Sequence, residues 1–132
     1  MRSKPCLTSS DLKTMMEACL AEAEKNKWNV AVSIVDDGGY LLSFHRMDGV
    51  APISAEVSLG KARTSALTRR PSKFFEDRVK ERPAFANFPA GLLIQGGLPI
   101  LHQNECVGAI GVSGVQSHDD ERIAQTGINA LG

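Results

Sequence analysis

Val30-Ala31-Val32-Ser33-Ile34-Val35-Asp36-Asp37-Gly38-Gly39-Tyr40-Leu41-Leu42-Ser43-Phe44-His45-Arg46 is the stretch that decides the fold. β-Branched, aromatic and apolar residues flank a run of two aspartates and two glycines, the pattern of two strands and a turn. Residues 30–35 read as one strand and 40–46 as the next. Asp36-Asp37-Gly38-Gly39 supplies the positive-φ positions of a tight hairpin between them. Strands joined this way pair antiparallel. With a two-residue turn, Val30, Val32 and Ile34 share a face with Leu41, Ser43 and His45. Ala31, Ser33 and Val35 share the other with Tyr40, Leu42, Phe44 and Arg46. His45 and Arg46 then point to opposite sides of the sheet, and only one belongs to a given pocket unless the strand bulges.

Working outward, Thr8, Ser9 or Ser10 caps a first helix, with Asp11 in its first turn. Leu12, Met15, Met16, Cys19, Leu20 and Ala23 recur at helical spacing as one apolar stripe, and residues 25–27 end it. After the hairpin, residues 48–52 open a helix over 53–67 that is rich in small residues: Ser54, Ala55, Ser58, Gly60, Ala62, Ser65 and Ala66. Gly60 costs that helix about 1 kcal/mol against alanine, which close packing on a sheet or a partner offsets. Arg70-Pro71 breaks the run, and residues 72–82 form a second, charged amphipathic helix. A loop over 83–89 carries Phe85 and Phe88. Residues 91–94 read as a short strand, Gln95-Gly96-Gly97 as a turn, 98–102 as a returning strand, Gln103-Asn104 as another turn and 106–113 as a final strand. Ser117 caps a last helix whose stripe is Ile123, Gly127, Ile128 and Leu131. The order α-β-β-α-α-β-β-β-α predicts an α+β sandwich on a five-stranded antiparallel sheet, one domain spanning 1–132.

Composition narrows the partners. Fifteen basic and fifteen acidic residues cancel, so there is no field of one sign to attract nucleic acid or an anionic membrane. A single Trp and a single Tyr argue against a base-stacking platform. No apolar run approaches the roughly 20 residues of a membrane span, and residues 1–7 lack the apolar core of a signal peptide. Cys6, Cys19 and Cys106 are odd in number and widely spaced, which reads as reduced thiols in a cytoplasmic protein rather than a metal or disulfide framework.

His45 is the sharpest chemical candidate. An imidazole among valines and leucines ligates a metal or transfers a proton near neutral pH; the plainer reading is a strand histidine bonded to a carbonyl or exposed at an edge. His102 and His118 sit beside turns and read as surface residues. Arg46, Asp48, Lys61, Arg63 and Thr64 bracket the loop into the middle helix. They suit a carboxylate or phosphate clamp at the helix start, or alternatively an Arg46–Asp48 or Arg–Glu56 pair that ties the loop down. Gly96 and Gly97 add backbone donors to such a pocket if their turn folds towards it. Gly108, Gly111 and Gly114 lack the spacing of a dinucleotide fingerprint, and packing against the first or last helix is the plainer explanation. No nucleophile, base and orienting group stand at a recognisable spacing.

The blocks Asp36-Asp37-Gly38-Gly39-Tyr40-Leu41, Phe44-His45-Arg46-Met47-Asp48-Gly49 and Lys61-Ala62-Arg63-Thr64 resemble the GlcG/HbpS family, which also includes the C-terminal domain of PduO proteins. Gly96-Gly97-Leu98-Pro99-Ile100, residues 107–114 and Asp119-Asp120-Glu121 continue the resemblance, which covers residues 8–132. It implies a profilin-like α/β/α domain that assembles into homo-oligomers. It also implies heme as a cofactor of some members and a link to the breakdown of small organic molecules. On this chain His45 is the candidate heme-iron ligand. The ligand-binding set is Arg46, Asp48, Lys61, Thr64, Gly96 and Gly97, for a small anionic molecule or the heme itself. The leading expectation is an accessory binding protein for heme or a related tetrapyrrole. The alternatives are a small enzyme acting on a carboxylated metabolite and a structural partner subunit of a metabolic complex.

Overall fold

The computed structural model describes residues 1–132 as α1 (Ser9–Lys25), β1 (Ala31–Asp36), β2 (Leu41–Arg46), α2 (Ile53–Thr68), α3 (Ser72–Glu81), a 3-10 turn (Pro83–Asn87), β3 (Gly97–His102), β4 (Glu105–Ser113) and α4 (Ser117–Asn129). The sheet is antiparallel and has four strands in the order β2-β1-β4-β3, not five. The missing strand is residues 91–94. They lie on α2 instead: Leu92 N–H donates to Gly60 O at 3.0 Å and Thr64 Oγ1 donates to Leu92 O at 2.7 Å. A methyl group on Gly60 would stand 2.7 Å from Leu92, so the glycine is what lets this segment seat on the helix.

The hairpin forms as its sequence demands, with one difference. Asp36 N–H donates to Tyr40 O at 2.8 Å, which closes a three-residue loop rather than a two-residue one. Gly39 holds φ +85°, and Asp36 Oδ1 accepts from Gly38 N–H and Tyr40 N–H. The longer loop sets Val35 opposite Leu41. A bulge then restores the expected register, pairing Ile34 with Ser43, Ser33 with Phe44, Val32 with His45 and Ala31 with Arg46. Leu41, and Tyr40 opposite Asp36, leave their expected faces.

Two cores follow from the two faces. Val32, Ile34, Leu98, Ile100, Ile110 and Val112 pack against Met15, Cys19 and Ala23 of α1 and Ile123 and Ala124 of α4. On the other face Val35 and Ala109 meet Ala62 and Ala66 of α2. The small residues of α2 allow it to lie almost on the backbone of β4. A Cβ on Gly111 would come 2.1 Å from Ser58 O and 2.5 Å from Ala62 N, so the glycine of the final strand serves the middle helix, not the first or last. Hydroxyls on the two surfaces pair, with Ser33 Oγ and Ser58 Oγ 2.8 Å apart. Residues of α1 are fixed by a capping box in which Thr8 Oγ1 accepts from Asp11 N–H and Asp11 Oδ2 accepts from Thr8 N–H. Ser117 does not cap α4: Gln116 occupies that position without a side-chain bond. No helix is long and apolar enough to cross a membrane.

Candidate functional site

The bulged hairpin and the end of α1 build a groove of about 380 Å³ lined by Glu24, Asn29, His45, Arg46, Met47 and Asp48. His45 and Arg46 both line it although they alternate along β2, because the groove straddles the strand's last two residues. β2 is an edge strand, and His45 is exposed on it despite its partner Val32 being fully buried. The apolar enclosure that the sequence suggests for His45 therefore lies one strand away.

Lys61, Thr64, Gly96 and Gly97 stand together elsewhere. Lys61 is 2% exposed; its Nζ lies 3.1 Å from Asp120 Oδ2 and donates to Val112 O at 2.9 Å. Gly96, at φ +135°, lies against that ammonium: a Cβ there would sit 2.7 Å from Nζ. Gly97 presses on the backbone of Lys61 and donates its N–H to Ser72 Oγ at 2.9 Å. Thr64 spends its hydroxyl on Leu92 O. These four residues thus bind α2 to β3, to α4 and to the segment before β3. Burial pushes the Asp120 carboxyl above its ordinary range, while the Lys61 charge and Val115 N–H pull it down. Asp120 is the partner that sequence spacing does not reveal, since Lys61 and Asp120 are far apart in the chain. Nearby, Ser65 Oγ is buried without a hydrogen-bond partner.

A second concavity, about 540 Å³, opens at the far end of β3 and β4. Leu7, Ile100, Leu101, Val107, Ile128 and Leu131 form its walls, and Cys6, Asp11 and His102 bring polar groups to it. Asp11 is held below the usual carboxylate range by the Thr8 backbone and side chain, and the charge of His102 acts in the same direction. No three His, Cys, Asp or Glu side chains are grouped to hold a metal ion by themselves.

The arrangement is a three-layer α/β/α domain, with helices on both faces of a four-stranded antiparallel sheet. The family model described as "Haem degrading protein HbpS-like" matches residues 7–129, and the chain belongs to that family. Protein GlcG of Escherichia coli strain K12 is 41% identical over 114 residues, 86% of this chain and 85% of that protein. A double mutant of HbpS from Streptomyces reticuli superposes with a TM-score of 0.92 at 31% identity, covering 100% of this chain and 91% of the other. A PduOC–heme complex superposes with a TM-score of 0.89 at 26% identity, covering 96% and 95%.

Proposed function

We propose that this protein binds heme or a related tetrapyrrole, as an accessory to the breakdown of small organic molecules. The observation that carries the reading is the likeness to the PduOC–heme complex along nearly the whole chain. The chain's own residues supply a concavity of about 540 Å³ in which Leu7, Ile100, Val107, Ile128 and Leu131 stand beside Asp11 and an imidazole, that of His102. That size falls within the roughly 300–1,000 Å³ of small-molecule sites. Heme, when bound, would supply an iron centre, and the chain would supply apolar contact and an imidazole nitrogen. Titration with hemin tests the reading. A Soret band that sharpens and saturates at a fixed stoichiometry is expected, and a spectrum identical to free hemin throughout would end it.

The polar groove favours a second reading, a small enzyme or binder for a carboxylated metabolite. There the exposed Arg46 guanidinium is the natural carboxylate contact and His45 the natural proton carrier, with Asp48 at the rim. Lys61, Thr64, Gly96 and Gly97 line neither concavity and tie α2 to its neighbours instead. Arg46→Ala would then abolish binding of a small carboxylate while leaving hemin binding unchanged.

We further propose that the chain acts as a homo-oligomer. The exposed apolar side chains Leu41, Leu42 and Phe44 on the edge strand β2 support it, because an uncovered apolar edge is a liability for a monomer.

A further inference from the structure

The polar groove brings charges of both signs together and pairs none of them. Glu24 comes from the last turn of α1 and Asn29 from the segment before β1. His45 and Arg46 come from the end of β2, Met47 and Asp48 from the loop that follows. All but Met47 are polar or charged. None of those polar side chains donates or accepts a hydrogen bond within the chain. No ion pair of the molecule includes Glu24, His45, Arg46 or Asp48. The Arg46–Asp48 or Arg–Glu56 pair that would tie this loop down is therefore not formed.

The backbone sets these groups on separate, fixed pieces. At the end of α1, Trp28 N–H donates to Ala23 O at 2.8 Å and Lys27 N–H to Glu24 O at 3.1 Å, with Lys27 at φ 59°. These are the two bonds of a Schellman motif, and they fix the turn that carries Glu24. Arg46 is set by its pairing with Ala31 in the sheet. Met47 N–H donates to Val30 O at 3.0 Å, and its side chain packs on the main core, which anchors the start of the loop.

The balance of charge in the groove says what it takes. Two carboxylates face one guanidinium, and the C-terminal end of α1 adds the negative pole of a helix. Lys25 and Lys27, the cations nearest to Glu24 in sequence, do not line the groove. A ligand with a carboxylate alone would meet Arg46 but also approach Glu24 and Asp48. A ligand with an ammonium alone would leave the guanidinium unmatched. A molecule with both charges answers each of the three groups.

We infer that the groove takes a small zwitterion, an amino acid whose carboxylate meets Arg46 and whose ammonium meets Glu24 and Asp48. Met47 supplies apolar contact for its carbon chain. The volume of about 380 Å³ lies near the lower end of the roughly 300–1,000 Å³ of small-molecule sites, which suits a short chain. The inference rests on the carboxylate reading above, and goes beyond it in requiring an opposite charge on the same ligand.

NMR titrations of the full chain with glycine, β-alanine and γ-aminobutyrate test it, each beside the acid and the amine that it combines: acetate and methylamine, propionate and ethylamine, butyrate and propylamine. At least one zwitterion should shift the amide resonances of residues 45–48. It should bind about fivefold more tightly than its acid and its amine, the scale of one ionic contact at an exposed site. Arg46→Ala should remove that binding. Glu24→Gln with Asp48→Asn should remove the preference and bring the zwitterion to the affinity of its acid. All three positions are exposed and outside the buried cores, so the fold should survive, as circular dichroism would check. An acid that binds as tightly as its zwitterion, or a preference that survives Glu24→Gln with Asp48→Asn, overturns the inference and leaves the carboxylate reading standing. An amine that binds as tightly as its zwitterion, shifts that miss residues 45–48, or no response to any of these probes overturns both.

Discussion

Lys61 and Asp120 form an ion pair with side chains only 3% and 2% exposed, and at this depth removing one partner costs more than removing both. Lys61→Met leaves Asp120 a buried carboxylate with backbone N–H donors, Val115 and Gly114, but no charge partner. Asp120→Leu leaves an ammonium held by a single carbonyl. Each single change should cost about 3–5 kcal/mol in urea unfolding, and the double variant should recover most of that loss. A double variant that lost the sum of the two would show that the pair is not the coupled unit drawn above. Ser65 offers the opposite sign. Its hydroxyl is buried with nothing to bond, so Ser65→Ala should leave stability unchanged or raise it by up to about 1 kcal/mol. A loss of stability would point to an unseen partner of that hydroxyl. Gly111→Ala should be costly, about 3 kcal/mol or more, because the added methyl meets the backbone of α2 rather than a movable side chain.

At the scale of elements, the start of α1 carries a pH dependence. Asp11 has its carboxyl lowered from 3.8, first by the Thr8 backbone bond and then by the Thr8 hydroxyl. The folded state therefore prefers the ionised form. The cap's contribution is fully present above pH 3.8 and disappears as pH falls through the lowered value. Asp37, lowered first by its bond to Lys4, behaves in the same direction. Stability of the unmutated chain should therefore fall on acidification below that range, and less so in Asp11→Asn, whose side chain does not titrate; equal slopes in the two proteins would refute the assignment. Elements were legible in the sequence wherever a period and a boundary coincided. The stripe of α1, the hairpin and the small-residue α2 all stand close to where spacing puts them. Residues 91–94 failed as a strand because apolar content alone does not distinguish a ladder partner from a segment seated on a helix, and the Gly60–Leu92 contact that decides it is long-range. Ser117 failed as a cap for a related reason: a hydroxyl near a helix start signals the start, not which residue caps it.

For the whole molecule, the sequence located chemistry better than it located sites. It picked out Arg46, Asp48 and His45, which do share a groove, and Lys61 with Gly96 and Gly97, which do meet. It could not show that these are two separate clusters, nor that Lys61 is bound to Asp120, because both facts depend on how α2 and α4 reach the same end of the sheet. The concavity at the β3–β4 hairpin was hidden altogether, since its lining comes from both ends of the chain and from a hairpin far from either in sequence. Assembly is the property that this scale decides. Phe44 is 40% exposed, Leu42 42% and Leu41 51%, all on an edge strand whose outer backbone groups have no sheet partner. Ile53 and Leu67, at the two ends of α2, are exposed as well. A second copy of the chain covering β2 would bury these side chains and satisfy the edge at once, whereas a monomer leaves both to water. Light scattering should accordingly report a multiple of the 14.2 kDa chain mass. Leu42→Lys with Phe44→Lys should reduce it to the single-chain mass without unfolding, since neither residue belongs to a buried core. A single-chain mass for the unmutated protein at micromolar concentration would mean that the edge is tolerated bare. An oligomer that survives both lysines would place the contact elsewhere, with the exposed face of α2 around Ile53 and Leu67 the next surface to substitute.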